Sequence, residues 1–335
     1  METNLKSPKV TVLMPVYNGE SYLREAIESI LNQSFRDFEF LIIDDGSTDR
    51  SFEIAKSYAD SRIRLEKNGT NQGLIYTLNR GLSEARGTYI ARMDADDISL
   101  PGRLAAQVAF MDAHPDIAVC GTWIKILGET ARPYPYPTQP EDIRAFLLFS
   151  TALMHPSVML RASVFKDGRF KYESRDAHGE DYGLWVSLVS AGYKLANIPR
   201  VLLLYRKHLN NVSALHSPAQ IDVTLRIRME QLQRLGLSPS AEEFASHNSI
   251  RGEGSDFLPR AEAWLLKIRA ANERENIYDE AALDRMLYRR WKTVCGANAA
   301  RGLKVWKLFI HSPLYYNSAE ISPLDSAKLF IKCLI

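Results

Sequence analysis

Carboxylates follow two of the apolar segments of this chain. The segment FLIIDD ends in Asp44 and Asp45, and the segment YIARMDADD ends with Asp94, Asp96 and Asp97. Burying an unpaired carboxylate costs several kcal/mol, so these residues should lie at strand ends that face solvent or a ligand. Because like charges repel, such a gathering is best explained by something that it binds, such as a divalent cation or sugar hydroxyls.

The acids at residues 94–97 have the chemistry of a divalent cation site. Carboxylates can hold an anionic ligand only through an ion such as Mg²⁺ or Mn²⁺. Hard oxygen ligands suit both ions, and Mg²⁺ typically combines one or two carboxylates with substrate phosphates. A bound ion would also neutralise negative charge that develops on such a ligand. The alternative is a strand-end turn with helix-capping acids.

A second acidic pair, Glu180 and Asp181, opens a segment with helical spacing. A carboxylate at a helix N-terminus is stabilised as the anion. That suits a base that is unprotonated at neutral pH and takes the proton of an attacking hydroxyl. The alternative is that the two acids only improve the helix dipole.

The elements that must position these acids alternate along the first part of the chain. Short apolar, β-branched runs are separated by segments with helical periodicity, which predicts βαβ units and a mostly parallel sheet flanked by helices. Ligands of such folds bind beyond the carboxyl ends of the strands, where the acids would meet. The predicted strands are 9–18, 38–45, 62–68, 88–97 and 117–127, and the helices between and after them include 20–33, 71–86, 101–115 and 179–199.

The remainder of the chain predicts a different architecture. A proline-rich loop occupies 132–140, and no convincing strand follows Pro218. A polar linker is expected around 238–255. The predicted helices of this part are 219–236, 259–275, 279–295 and 298–311.

Composition narrows the class of protein. The 335 residues carry a net charge of +2, three widely spaced cysteines and no apolar N-terminal segment, so we expect a protein of the reducing cytoplasm. Residues 285–335 contain nine Lys or Arg and two acids, a local charge of +7. Together with Trp291 and Trp306, this basic region fits docking to an anionic membrane surface, peripheral at the inner face of the cell membrane, or a helical subdomain that covers the catalytic core. No motif supports binding to nucleic acid.

Six blocks carry a resemblance to a known family. VTVLMPVYNGESYLREAIESILNQSF, FEFLIIDDGSTD, NQGLIYTLNRGLSEARGTYIARMDADD, HPSVMLR, GEDYGLW and YRKHLNNVS occur in this order over residues 8–213. In this order and at these separations, the blocks resemble the family 2 glycosyltransferases of the GT-A fold. The resemblance implies a GT-A-like, Rossmann-like catalytic domain over 1–213, followed by a mainly helical region over 214–335 with an acceptor, membrane-surface or covering role.

The resemblance also implies roles for the acids. Asp96 corresponds to the family's metal ligand in its DxD motif, while Asp94 or Asp97 would contact the ribose or complete the metal shell. Asp181 corresponds to the catalytic base of the ED motif, and Glu180 would orient the acceptor or serve the structure.

The resemblance also implies which residues bind the nucleotide-sugar donor. Asp45 would accept the N3–H of uracil, and Tyr17 of the PVYN segment, together with Pro15, would contact the nucleotide, unless Tyr17 is a core aromatic and Asp45 a turn residue. Asp44 is expected to fix the turn. His208 could reach the metal or diphosphate and Arg206 the phosphates. The lone His155 is expected to be structural, and Arg92 and Arg103 are open between phosphate binding and packing.

The expected reaction is an inverting, metal-assisted transfer of a sugar from a nucleotide donor to a saccharide or lipid-linked saccharide. A UDP-sugar is favoured because of Asp45, although dTDP offers the same N3–H and GDP stays open. A non-catalytic nucleotide-sugar or carbohydrate-binding module is an alternative. A sugar-nucleotide pyrophosphorylase is disfavoured because MPVYNGESYL has one glycine and no lysine after the first strand.

Overall fold

A computed structural model describes residues 7–130, 133–208, 217–252, 254, 256–316 and 322–334. Contacts divide the chain into two units, residues 1–140 with 151–223 and residues 141–150 with 224–335. The strands, all in the first unit, are β1 (Val10–Val16), β2 (Phe38–Asp44), β3 (Ile63–Lys67), β4 (Tyr89–Arg92), β5 (Ile98–Ser99), β6 (Ile117–Ile126), β7 (Met159–Arg161) and β8 (Lys194–Tyr205). The helices that accompany them along the chain are α1 (Leu23–Leu31), α2 (Ser51–Lys56), α3 (Leu74–Glu84), α4 (Arg103–Ala113), α5 (Pro140–Leu147) and α6 (Glu180–Ser190).

The strands form one sheet in the order β3-β2-β1-β4-β7-β6-β8-β5. Strands β3, β2, β1 and β4 are parallel, as are β6 and β8, whereas β7 and β5 run antiparallel to their neighbours. Every residue of β1 and β2 is buried, which is typical of central parallel strands covered on both faces. The mostly parallel α/β fold predicted from the alternation of elements is confirmed.

The register of the central strands brings the predicted acids to one edge of the sheet. Val16, the last residue of β1, pairs with Asp44 at the end of β2. On the other side of β1, strand β4 ends at Arg92. Asp45 and the acids at 94–97 therefore follow β2 and β4 on either side of β1.

Pro15 lies inside β1, where its missing N–H has a geometric explanation. The Leu13 carbonyl accepts from the Met93 N–H on the β4 side, and the Val16 carbonyl accepts from the Asp45 N–H on the β2 side. Because backbone groups alternate in direction along a strand, Pro15 faces the β4 side, where β4 has already ended. A proline there removes no hydrogen bond of the ladder.

Helix α4 anchors the end of β4 through buried polar side chains. Arg103 Nη2 donates to the Arg92 carbonyl at 2.6 Å, and Gln107 Nε2 donates to the Cys120 and Ser157 carbonyls at 2.8 and 2.9 Å. Burial and the charge of nearby Arg92 lower the pKa of Arg103 to about 9. Buried polar groups are usually hydrogen-bonded within the protein, as Arg103 is here. Of the two roles that the sequence left open for Arg103, phosphate binding and packing, the structure favours packing.

Two elements of the first unit differ from the prediction. The helix predicted over 179–199 ends at Ser190, and the chain then forms β8, which pairs with β6. Gly192, with φ of 88°, follows the helix in the left-handed conformation that ends many helices. The strand predicted over 88–97 ends at Arg92, because the backbone leaves the sheet before the acids.

From residue 217 onward the described chain is helical. Its helices are α7 (Ser217–Arg234), α8 (Ala241–Asn248), α9 (Phe257–Glu275), α10 (Glu280–Ala297), α11 (Leu303–His311), α12 (Pro313–Tyr316) and α13 (Pro323–Leu334). The prediction missed α8, which lies in the expected linker, and also α12 and α13. Trp264, Tyr288 and Trp291 are buried in the core of the second unit. The domain boundary expected between residues 213 and 214 lies outside the described residues. None of the described helices is both long and apolar enough to cross a membrane.

We expect Gly46→Ala to lower the free energy of unfolding by about 2 kcal/mol or more. Gly46 has φ of 72°, and a Cβ there would lie 2.7 Å from the backbone of both Thr70 and Asn71. Gly69→Ala is the matched control, because its Cβ would meet nothing within 4 Å; its effect should stay within about 0.5 kcal/mol. Denaturant titration compares the variants, and equal unfolding free energies would contradict the expectation.

Candidate active site

Three carboxylates meet in the loop that follows β4. One oxygen from each of Asp94, Asp96 and Asp97 lies within 4.8 Å of the others. Asp97 is fully buried. Its Oδ1 accepts from the Arg206 backbone N–H at 2.8 Å, while no described residue donates to its Oδ2. An all-oxygen donor set with an unsatisfied buried oxygen fits a hard divalent cation such as Mg²⁺ or Mn²⁺.

The raised pKa values of the carboxyl groups in this loop also favour a bound cation. Burial and the charges of neighbouring carboxylates raise the pKa of Asp94 to about 6 and the pKa of Asp97 well above its usual range. Arg92 opposes this effect, with its Nη2 2.5 Å from Asp94 Oδ1. The Arg92 side chain is buried, and its Nε and Nη1 have no hydrogen-bond partner in the described part of the chain. A cation bound by the acids would relieve their mutual repulsion.

The segment after β8 reaches these acids. His208 Nε2 and Asp96 Oδ2 are 2.8 Å apart. Arg206 Nε donates to the Asp96 carbonyl at 2.8 Å, and its Nη2 donates to Glu25 Oε2 at 2.6 Å. The Tyr22 ring lies 4.5 Å from the Arg206 guanidinium and 5.0 Å from the His208 ring. His208 thus lies beside the predicted metal ligands, and the phosphate contact of Arg206 stays a prediction.

Helix α6 presents the second acidic pair. Burial and the charge of Glu180 raise the pKa of Asp181 to about 7, although the Tyr182 N–H donates to its Oδ1 at 2.7 Å. The helix dipole alone predicts a fully ionised carboxylate, but desolvation outweighs it here. The charge of Arg92 lowers the pKa of both Asp181 and Asp94. The candidate base and the candidate metal ligands therefore share one electrostatic environment.

Asp45 is hydrogen-bonded by protein groups at the end of β2. Its Oδ1 accepts from Asn68 Nδ2 at 2.6 Å and from the Gln72 N–H at 2.9 Å, and its Oδ2 accepts from the Gly73 N–H at 2.9 Å. An ionised carboxylate has about four acceptor positions, and three of them are used within the protein at Asp45. Asp45 thus organises the loop at 68–73, and its contact with a base stays a prediction.

Among the residues near Asp45, Tyr17 is exposed, whereas Pro15 and Asp44 have structural roles. Tyr17 is 49% exposed, so the alternative that it is a core aromatic is wrong. Pro15 is buried within β1 and contributes the shape of the strand end. Asp44 fixes the turn as predicted, with its Oδ2 accepting from the Ser47 N–H at 3.2 Å.

A polar hollow opens beside Asp45 at the end of β3. Arg80 Nη1 donates to Asn68 Oδ1 at 2.8 Å, and Asn68 in turn donates to Asp45. No sequence pattern predicts this hollow, because its residues belong to a strand end, a loop and a helix face with no distinctive spacing. It is lined by Lys67, Asn68, Gly69, Thr70, Gln72, Tyr76 and Arg80.

Buried polar side chains near the acids are a further feature that the sequence does not predict. Tyr172 Oη lies 2.8 Å from His155 Nε2. Burial raises the pKa of Tyr172 and lowers the pKa of His155 well below its usual range, so both are neutral. Burial, with a smaller contribution from the charge of Asp181, raises the pKa of Tyr136 in the proline-rich loop. These residues come from separate segments, so no spacing signal could have grouped them.

Comparisons with known proteins agree with one another. Residues 11–169 match the family model of glycosyl transferase family 2. EpsE of Bacillus subtilis (strain 168), which is named as a glycosyltransferase, is 38% identical over 208 residues, covering 60% of this chain and 73% of EpsE. The O-antigen biosynthesis glycosyltransferase WbnJ of Escherichia coli is 32% identical over 209 residues, covering 59% of this chain and 80% of WbnJ.

Solved structures share the fold. S. aureus TarS in complex with UDP-GlcNAc superposes with a TM-score of 0.57 at 18% identity, over 96% of this chain and 89% of that chain. The mannosyltransferase PcManGT from Pyrobaculum calidifontis, in complex with GDP-Man and Mn²⁺, gives 0.53 at 17% identity, over 98% and 88%. At these identities the likeness concerns the fold, and it confirms the GT-A-like architecture.

We expect Asp181→Asn to stabilise the protein by about 1–3 kcal/mol near pH 8 and to leave it unchanged near pH 4. The folded-state pKa of about 7 lies above the ordinary value of 3.8, so the native protein loses stability as the pH rises between these values. Asparagine cannot ionise and escapes this loss. Denaturation at both pH values measures the effect.

The control is Asp116→Asn, an exposed carboxylate that pairs with Lys194 at 3.0 Å. It should leave the free energy of unfolding nearly unchanged at both pH values, because an exposed ion pair contributes little to stability. A gain for Asp181→Asn that is equal at both pH values would show that the charge of Asp181 is not its cause.

Proposed function

The chain belongs to glycosyl transferase family 2, and on this premise we propose that it is an inverting glycosyltransferase. It moves a sugar from a nucleotide-diphosphate donor, with a UDP-sugar favoured, to a hydroxyl of a saccharide or lipid-linked saccharide. The acceptor hydroxyl displaces the diphosphate in one step, with inversion at the anomeric carbon and no covalent sugar–enzyme intermediate. The name of the relative WbnJ supports a role in polysaccharide biosynthesis.

One observation carries this proposal: a carboxylate with a pKa of about 7 lies in the same electrostatic environment as the acids after β4. A general base works best when its pKa is near the working pH. Asp181 takes the proton of the acceptor hydroxyl as the oxygen attacks. Glu180, which is buried beside it, keeps that pKa raised and orients the acceptor.

The donor side is built from the other predicted residues. Asp96 and Asp97, with His208, would hold Mn²⁺ or Mg²⁺, which when bound neutralises charge on the leaving diphosphate. Asp94, fixed by Arg92, faces the ribose or completes the metal shell. When the donor binds, Arg206 gives up its salt bridge with Glu25 and contacts the phosphates instead.

The nucleotide base lies at the end of β2. The acceptor position left on Asp45 receives the N3–H of uracil, and the exposed Tyr17 ring stacks on the base, with Pro15 shaping the strand end beneath. A UDP-sugar is therefore favoured over a GDP-sugar, while dTDP offers the same N3–H.

The proposal includes a cytoplasmic location with peripheral attachment at the inner face of the cell membrane. A lipid-linked acceptor is held in the bilayer, and basic residues within 285–335 supply charge that anionic lipids attract.

A panel of UDP-, dTDP- and GDP-sugars with Mn²⁺ or Mg²⁺, read by release of the nucleoside diphosphate, tests the reaction. Asp181→Asn should keep donor affinity within about threefold and lose about 10²–10⁴-fold in turnover. Asp96→Ala should weaken metal-dependent donor binding by about tenfold or more. The matched control, Asp116→Asn, should behave as the native protein. Undiminished turnover of Asp181→Asn excludes it as the base, and binding without any release of diphosphate favours the binding-module alternative.

The rate of transfer should rise with pH. Because Asp181 must be ionised to accept a proton, kcat/KM should increase about tenfold per pH unit below its pKa of about 7 and level off above it. Initial rates between about pH 5 and 9 at saturating metal ion measure this profile. A rate that is flat between about pH 6 and 8 would exclude a base with this pKa.

A further inference from the structure

Large apolar side chains are exposed at the end of the chain. Ten large hydrophobic residues are exposed in the described structure, and five of them lie between residues 303 and 334. Scattered exposed apolar residues need no explanation, but a cluster on neighbouring helices marks an interaction site. The five are Leu303, Tyr316, Leu324, Ile331 and Leu334.

Helix α13 carries apolar residues on two opposite sides. Leu329 and Cys333 are buried in the core of the second unit. The other stripe recurs every three or four residues, which places its members on one side of a helix, and they are exposed to solvent. This outer stripe consists of Leu324, Ala327, Ile331 and Leu334.

Helix α11 extends this surface. The Trp306 ring packs edge-on against Phe330 at 5.1 Å, and its Nε1 donates to Ser326 Oγ at 3.1 Å. An open groove with mainly apolar walls runs between the two helices. We call the outer stripe together with this groove the α11–α13 face. The groove is lined by Trp306, Pro323, Ser326, Ala327, Phe330 and Ile331.

Lysines border the α11–α13 face. Lys304 and Lys307 lie on α11, and Lys328 and Lys332 lie on α13; all four are exposed. None of them forms a salt bridge with another described residue. Lys328 contributes to the lowered pKa of Asp325, but that carboxylate is already paired with Lys292, so the four lysines still carry charge that a partner can contact.

Other basic residues of 285–335 are engaged within the second unit. Arg285 pairs with Asp142 at 2.7 Å, and Lys292 pairs with Asp325 at 2.8 Å. Arg290 donates to a backbone carbonyl at 2.7 Å. The aromatic residue expected at an interface, Trp291, is fully buried. The available charge is thus concentrated at the α11–α13 face.

We propose that the α11–α13 face docks on a membrane surface that contains anionic lipid. The apolar stripe enters the boundary between headgroups and acyl chains, and the lysines contact the phosphates around it. A second copy of the same face would bring lysines against lysines, which disfavours self-association. This inference rests on the peripheral location in the proposed function, and it narrows the membrane-binding part of the chain from residues 285–335 to two helices.

Flotation of the full-length protein with vesicles tests the inference. Vesicles of phosphatidylcholine with phosphatidylglycerol should carry the native protein, and vesicles of phosphatidylcholine alone should carry at least tenfold less. Replacing Lys304, Lys307, Lys328 and Lys332 together by Gln should lower binding to the anionic vesicles by tenfold or more. Ile331→Asn combined with Leu324→Asn should lower it at unchanged charge.

The matched control replaces four exposed lysines of the first unit by Gln and removes the same charge. They are Lys56, Lys166, Lys171 and Lys194. The control should float as the native protein does. Equal flotation of both quadruple variants, or a dimer in solution that the Ile331 and Leu324 changes abolish, overturns the inference.

Release of nucleoside diphosphate with a soluble acceptor, measured on the same variants, separates the two proposals. If the lysine variant loses flotation but releases diphosphate at the native rate, the α11–α13 face binds membrane and takes no part in transfer. If the native protein floats but releases no diphosphate, the proposed transfer reaction is wrong and the membrane inference stands.

Discussion

The site depends on a buried guanidinium among carboxylates that repel one another. Arg92 lies 2.5 Å from Asp94 and its charge also acts on Asp181 and Asp97. Burial raises the pKa of these carboxyl groups, and the charge of Arg92 opposes that rise. At Asp181 burial and the charge of Glu180 outweigh it, so its pKa is about 7, within the range in which a base can work.

The position of Arg92 is fixed by backbone geometry. Its N–H donates to the Val158 carbonyl at 2.9 Å, and its carbonyl accepts from Arg103. Both backbone groups of Arg92 are therefore hydrogen-bonded at the residue where the sheet ends and the acidic loop begins. Gln107 ties α4 to the backbone near the same point. A cluster of like charges can persist here because these hydrogen bonds to backbone carbonyls, rather than contacts among the acids, hold the strand end in place.

Much of this arrangement could be predicted from the sequence, and the remainder could not for physical reasons. Alternating strands and helices predict the sheet and its acidic edge, and Asp96 with His208 lie together as the resemblance implies. The ion pair of Arg92 could not be predicted, since an arginine in a strand carries no sign of its partner. Nor could the pKa of Asp181, because a helix N-terminus is a local feature whereas desolvation depends on the whole surrounding fold. The helix predicted over 179–199 fails for the same reason: pairing of β8 with β6 outweighs a local period.

In the basic C-terminal region, the sequence does not reveal which charged side chains are paired within the fold and which can bind a partner. A charge of +7 over residues 285–335 counts each side chain regardless of its neighbours. Arg285 and Lys292 form salt bridges with carboxylates of the same unit, so they stabilise the fold more than they attract a partner. Lys328 and Lys332 form no salt bridge with another described residue, and they lie beside an apolar stripe that is not part of the core. Folding of the second unit does not account for this combination of charge and exposed apolar side chains, whereas the proposed docking on an anionic lipid surface does.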